Sequence, residues 1–183
     1  IMTVWYSDDL TKWIDQGCDQ IAGSLVLSLN ISYYNLSALP KEICKLTNLQ
    51  TLHLDINKLK KLPKDIINLV NLTELIISSN HFAQIPKEIY SLHSLTRLDI
   101  SNNPINKLSK EIGNLTNLTT LVVERSSLLT ELPKEICNLA NLEVLNIGDS
   151  RLTELPCEIG NLTNLQQLLV YNNKLTRLPI TLG

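Results

Sequence analysis

Four cysteines and three histidines are the side chains here best suited to chemistry: Cys18, Cys44, Cys137 and Cys157, and His53, His81 and His93. Thiolates and imidazoles a few residues apart hold zinc, and a cysteine beside a histidine makes a nucleophile. The spacing supports neither. No two cysteines stand at a zinc-ligand interval, and the 6 glycines form no loop that could cradle a phosphate. The expectation is therefore no catalytic residue, no metal ligand and no cofactor.

What positions these residues is a repeat. Leu49, Leu72, Leu95 and Leu118 recur every 23 residues, and Leu142 and Leu165 continue the series after one inserted residue. Inside a unit the apolar places are fixed, as in Leu49, Leu52, Leu54, Leu59, Leu62, Ile66 and Leu69. Such a period marks a solenoid, in which a single unit cannot fold alone and each packs on its neighbours. Counting Leu49 as position one, the apolar pair at positions four and six points one way from an extended segment. Positions three and five then face the other way. Seven such strands predict one parallel sheet. Asn at position nine (Asn57, Asn80, Asn103, Asn173) suits the inside of the next turn, because its amide both donates to and accepts from backbone groups. Pro at position fifteen (Pro40, Pro63, Pro86, Pro133, Pro156, Pro179) opens a return path, predicted as a short helical or 3₁₀ segment. On this map the three histidines fall on different faces.

The spacing and the recurring phrase L-P-K-E-I resemble the leucine-rich repeats of intracellular scaffold proteins and of many bacterial proteins, over residues 26–182. The resemblance implies an α/β fold: a right-handed, curved leucine-rich-repeat solenoid with a parallel concave sheet and short helical or 3₁₀ segments on the convex side. It implies a non-catalytic module that binds a protein partner on the concave face, with a bacterial protein acting on a host as one setting. The alternative is the substrate-recognition fragment of a larger enzyme such as a ubiquitin ligase or kinase. Extracellular members usually cover the first repeat with a closely spaced disulfide cap, which is missing here. Cys44 and Cys137 fill one repeat position four units apart, roughly 20 Å at strand spacing, too far for a disulfide. All four cysteines read as free thiols in a reducing compartment, a cytoplasm or a host cytoplasm.

Residues 1–25 are assigned to an N-terminal helical cap and 26–183 to the repeat domain. In the cap, Ser7 is expected to start a helix over residues 8–16 that turns Leu10, Trp13 and Ile14 to one side and stops at Gly17. With 16 basic and 18 acidic residues the net charge is -2, which excludes long-range attraction to nucleic acid. No apolar run approaches the ~18 residues of a membrane span. Ile1 precedes Met2 and the sequence stops inside a unit, so a removed leader and a further domain both stay open. An uncovered last strand would invite pairing with a second copy through residues 165–175. Six N-x-S/T triplets arise mostly from the phrase N-L-T and read as part of the repeat.

The repeat leaves positions three, five, seven and eight free to vary on the inner face. They predict a charged centre of Glu74, Arg97, Asp99, Glu124 and Arg125, an apolar strip of Val122, Val144, Leu169 and Tyr171 beside it, and Ile76 and Asn146 in the same columns. Aromatic and aliphatic anchors ringed by charge are what a protein interface uses. The Lys-Glu pairs after each Pro read instead as a solvated outer face. Departures gather in the middle of the chain: Ser109 replaces Pro, and Ser126 or Ser127 and then Ser150 replace Asn.

Overall fold

The computed structural model describes residues 3–182; Ile1, Met2 and Gly183, on which the questions of a leader and of a continuation turn, lie outside them. Eight strands lie in chain order in one parallel sheet. They are β1 (Thr3–Trp5), β2 (Val26–Asn30), β3 (Thr51–His53), β4 (Glu74–Ile76), β5 (Arg97–Asp99), β6 (Thr120–Val122), β7 (Val144–Asn146) and β8 (Gln167–Leu169). Each step pairs like with like. Leu52 stands opposite Leu75, Leu75 opposite Leu98, and Leu98 opposite Leu121. Between strands the chain returns through 3₁₀ segments, such as Lys41–Lys45 and Lys64–Asn68, which begin directly after Pro40 and Pro63. Proline holds φ near -57 there, the value a helical turn needs at its start, and gives up an N–H that would have no partner. Every predicted return is 3₁₀ and none is α-helical.

The apolar places of the repeat fill the space between sheet and return segments. Leu49, Leu52, Leu54, Leu59, Ile66 and Leu69 are all fully buried, and so are their equivalents through Leu145. Phe82, the only phenylalanine, occupies position eleven and is fully buried too.

The N-terminus departs from the expectation in three respects. β1 adds an eighth strand to the predicted seven, with Val4 opposite Ser28 and Trp5 opposite Leu29. Helix α1 spans Ser7–Asp15, so Tyr6 rather than Ser7 is its N-cap, and the Tyr6 N–H donates to Asp9 Oδ2 at 3.0 Å. A second helix, α2 (Gln20–Ser24), follows with the Asp19 carboxylate accepting from Ala22 N at 2.8 Å. Gly17 does end α1, at φ 86. Its N–H and that of Cys18 reach back to the carbonyls of Ile14 and Trp13, the paired closure of a Schellman motif. Trp13 ties the cap together: its indole N–H donates to Asp19 O at 2.7 Å, its ring packs on Trp5 at 5.6 Å, and a Cβ on Gly23 would lie 2.9 Å from it.

Position nine forms a ladder of buried amides. Asn80 donates to Leu54 O and Ile77 O and accepts from Leu59 N; Asn57 and Asn103 repeat the pattern one unit either side. The residue before it is left-handed in every unit, from Tyr33 to Asn172, even at β-branched Ile56 (φ 53). The ladder then breaks. Ser126, not Ser127, takes the ninth place; it is fully buried and, among the described residues, its hydroxyl finds no hydrogen-bond partner. Ser150 reaches only Gly148 O, at 3.4 Å. The inserted residue compensates in part. It lets Leu129 N bond Ser126 O at 2.9 Å, which relieves Ser150 of an acceptor role its hydroxyl could not reach.

All four cysteines are free, with Cys18, Cys44 and Cys137 buried and Cys157 exposed. Burial pushes the thiols of Cys44 and Cys137 up to about 11. Glu158 raises Cys157, accepting a hydrogen bond from its thiol at 3.1 Å. Because the thiolate is the reactive form, a colorimetric thiol reagent at pH 8 is expected to titrate Cys157 slowly in the native protein and all four cysteines after denaturation. Rapid reaction of a second thiol in the native state would contradict the packing.

Candidate protein-binding face

Side chains at positions three and five alternate with the buried leucines and share one face of the sheet. Glu74, Arg97, Thr120 and Val144 run across it in register, as do Ile76, Asp99, Val122, Asn146 and Leu169 one step along. Positions seven and eight lie past the three-residue strands, in the turn that follows. The predicted residues thus occupy one wall, in two clusters.

The first is built on Glu74. His53 Nε2 lies 3.1 Å from Glu74 Oε1, and Arg97 Nε approaches the same oxygen at 3.8 Å from the next strand. Asp99 is turned inward on its own turn, accepting from Ser101 N at 3.0 Å and from the Ser101 hydroxyl at 2.6 Å. Ile76 stands beside it, half-buried.

The second cluster spans three units. Asn146 Nδ2 donates to Glu124 Oε2 at 2.9 Å, and Arg125 Nε lies 3.6 Å from Glu124 and 3.7 Å from Asp149. Tyr171 lies across Gly148, and the Glu124 carboxylate raises its phenol above the ordinary value, with desolvation adding to the rise. Val122, Val144 and Leu169 flank this network; the first two are half-buried and Leu169 is exposed. The sequence columns missed one feature, the role of Gly148. A Cβ there would lie 2.4 Å from the ring, so the glycine is the seat of Tyr171. Gly148→Ala is expected to swing Tyr171 off Glu124, which lowers the phenol's ionisation pH in a spectrophotometric titration and leaves Tm within a few degrees. An unchanged titration would show that the ring does not rest there.

Of the remaining chemistry-bearing residues, His81 and His93 are exposed, and His81 lines a shallow concavity with Arg125 at the edge of the wall. Among the described residues no three His, Cys, Asp or Glu side chains gather to hold a metal, and no helix is long and apolar enough to cross a membrane. The N-x-T asparagines Asn71 and Asn117 spend their amide N–H groups on Thr47 O and His93 O of the preceding unit, a structural use for those triplets.

A family model described as a leucine-rich repeat region matches residues 20–123, more than half of the chain, and a leucine-rich repeat model matches residues 141–162. The chain belongs to the leucine-rich-repeat family. Comparison with curated proteins gives no match. Among solved structures, this leucine-rich-repeat chain is similar to a leucine-rich-repeat protein of Leptospira interrogans, with 35% identity over 87% of this chain and 46% of that one (TM-score 0.75). It is similar also to the ectodomain of the Arabidopsis thaliana membrane receptor kinase GASSHO1/SCHENGEN3 in complex with CASPARIAN STRIP INTEGRITY FACTOR 2. There the identity is 29%, covering 90% of this chain and 21% of that one (TM-score 0.75). A plant peptide hormone receptor, RGFR1, in complex with RGF2, matches at 29% identity over 85% and 26% (TM-score 0.69). The chain spans about half or less of the length of each of these structures. The leucine-rich-repeat fold commonly mediates interaction between proteins and in general is not itself catalytic.

Proposed function

We propose that this leucine-rich-repeat solenoid binds a protein or peptide partner on its inner wall, through Glu74, Ile76, Arg97, Asp99, Val122, Glu124, Arg125, Val144, Asn146, Leu169 and Tyr171. The observation that carries the reading is the second cluster. Asn146, Glu124 and Arg125 are joined to one another and Tyr171 is seated over Gly148 beside them, next to half-buried Val122 and Val144, so an apolar anchor and oriented polar groups meet in one place. Similar structures from plants were solved with bound peptides, which favours the same class of ligand here. The cap over residues 1–25 closes one end of the array, and the repeat domain from residue 26 presents the wall.

A bacterial protein acting on a host is the setting we favour, given the similarity to the Leptospira protein. The second reading, target recognition for an enzyme attached elsewhere in a longer chain, is favoured by the resemblance to a receptor kinase ectodomain. Among the described residues no strand pairs with the outer edge of β8, and pairing there with a second copy is part of the proposal.

An affinity pull-down comparing the wild-type chain with a variant altered at Arg97, Arg125 and Tyr171 tests the site. Arg97 and Arg125 are half-exposed or more, so reversing them is expected to cost less than about 1 kcal/mol of stability each. Partner capture should fall about tenfold or further, as removal of interface anchors does. Equal recovery of the same partner by both proteins would dispose of the assignment.

A further inference from the structure

The unit containing Lys58, Lys60, Lys61 and Lys64 is the most basic in the chain, and the repeat does not explain it. Other units place Ser37 and Ala38, Ala83 and Gln84, or Thr130 and Glu131 where this one places Lys60 and Lys61. Away from the inner wall, these two lysines line a groove of about 760 Å³ together with Lys41, Lys64 and Lys87, which enter it from three successive units. Glu88 is the only acidic residue of the lining. Among the described residues none of the five ammonium groups has a carboxylate within 4.0 Å. Lys41, Lys64 and Lys87 are each followed by an acidic residue, so Lys60 and Lys61 carry the excess of positive charge. In a chain of net charge -2, five lysines against one glutamate in the lining of one concavity are a local excess of positive charge, and a concave wall concentrates their field. The floor is apolar, formed by Leu39, Leu62 and Ile85 with Pro63 and Pro86.

We propose that this groove is a second docking site, distinct from the inner wall, which takes an acidic peptide segment carrying an aliphatic side chain between its carboxylates. Cationic walls over an apolar floor match that chemistry. The groove holds no aromatic side chain on which bases could stack and no arginine to fork onto phosphates, which disfavours nucleic acid. A concavity of this size is filled by a segment of chain and not by the flat surface of a bilayer.

The test is fluorescence anisotropy of the whole chain with a labelled peptide of repeating Glu-Glu-Leu, beside an oligothymidylate and phosphatidylserine vesicles. Binding of the peptide is expected, weakening with salt. Lys60→Glu/Lys61→Glu should reduce affinity by about tenfold or more, equivalent to roughly 1.4 kcal/mol, and Lys60→Gln/Lys61→Gln by less. The control Lys12→Glu/Lys174→Glu, with the same change of net charge away from the groove, should alter it by less than about twofold. Absence of peptide binding, an equal loss in the control, or tighter binding of the oligonucleotide or the vesicles would overturn the proposal. So would a concentration-dependent dimer of the free protein that the Lys60/Lys61 variants abolish, since a second copy would then fill the groove. None of these outcomes bears on the inner wall, which the arginine variants probe separately.

Discussion

Leu98→Ala is expected to destabilise the protein by about 2–5 kcal/mol, the range for deleting a fully buried leucine, measured as the shift in a urea unfolding curve. Leu98 is fully buried at the centre of β5, in register with Leu75 on one side and Leu121 on the other. The truncation leaves a hole bounded by side chains from three units, each of which is held in turn by its own neighbours. In a globule several elements could lean in; in a one-dimensional stack only the two flanking units can, and strand register prevents them. Leu168→Ala makes the comparison sharp, because Leu168 holds the same place in β8 yet is only half-buried, with one neighbouring strand. Its loss is expected to be less than half as large. Equal costs at the two sites would show that the stack does not transmit stability through its leucines.

Asn80→Ala is expected to cost roughly 1–3 kcal/mol, the range for a buried polar group left without a partner, because it orphans one such group. Leu59 N loses its acceptor at 2.9 Å, while Leu54 O and Ile77 O lose the amide that bridges them but keep the bonds from Asn57 and Asn103. Leu54, Leu59 and Ile77 around it are each fully buried, which limits the water that could take its place. Ser126→Asn is the mirror experiment. Arg125 before it already has the left-handed φ of 58 that precedes every ladder asparagine, so the turn is ready to receive an amide. Tm should rise with this substitution and fall with Asn80→Ala. A fall in both would mean that the inserted residue has reshaped the turn beyond repair.

Much of this architecture was legible because the repeat reports it many times over. Period-two alternation inside a period of 23 placed Glu74, Arg97 and Val144 in one column and Ile76, Asp99 and Asn146 in the next, and the strand register puts them there. Asn at position nine announced its own hydrogen bonds, since few other side chains both give and accept in one plane. What escaped lay outside the period. β1 and α2 precede the first repeat and have no later copy to reveal them, and Ser7 looked like a cap because hydroxyls usually are. Glu124, Gly148 and Tyr171 follow one another in one column, position seven of three successive units, but residue types alone do not say that the ring folds back across the glycine. Lys60 and Lys61 were hidden for a different reason. They stand neither at the fixed apolar places nor in the inner-face columns, and only the cavity between three units brings them together with Lys41, Lys64 and Lys87.

The break at Ser126 and Ser150 reaches beyond local stability. Asn57, Asn80 and Asn103 supply rungs before it and Asn173 the one after, so the array is two blocks of units joined where amide rungs are missing. The network from Glu124 through Asn146 to Tyr171 crosses that joint on the opposite side of the sheet. A ligand gripping Arg97 and Tyr171 together would splint the joint and surrender the bending entropy of the pair of blocks in doing so. The same seam that loosens the array therefore makes its affinity depend on how much of the inner wall one ligand can span.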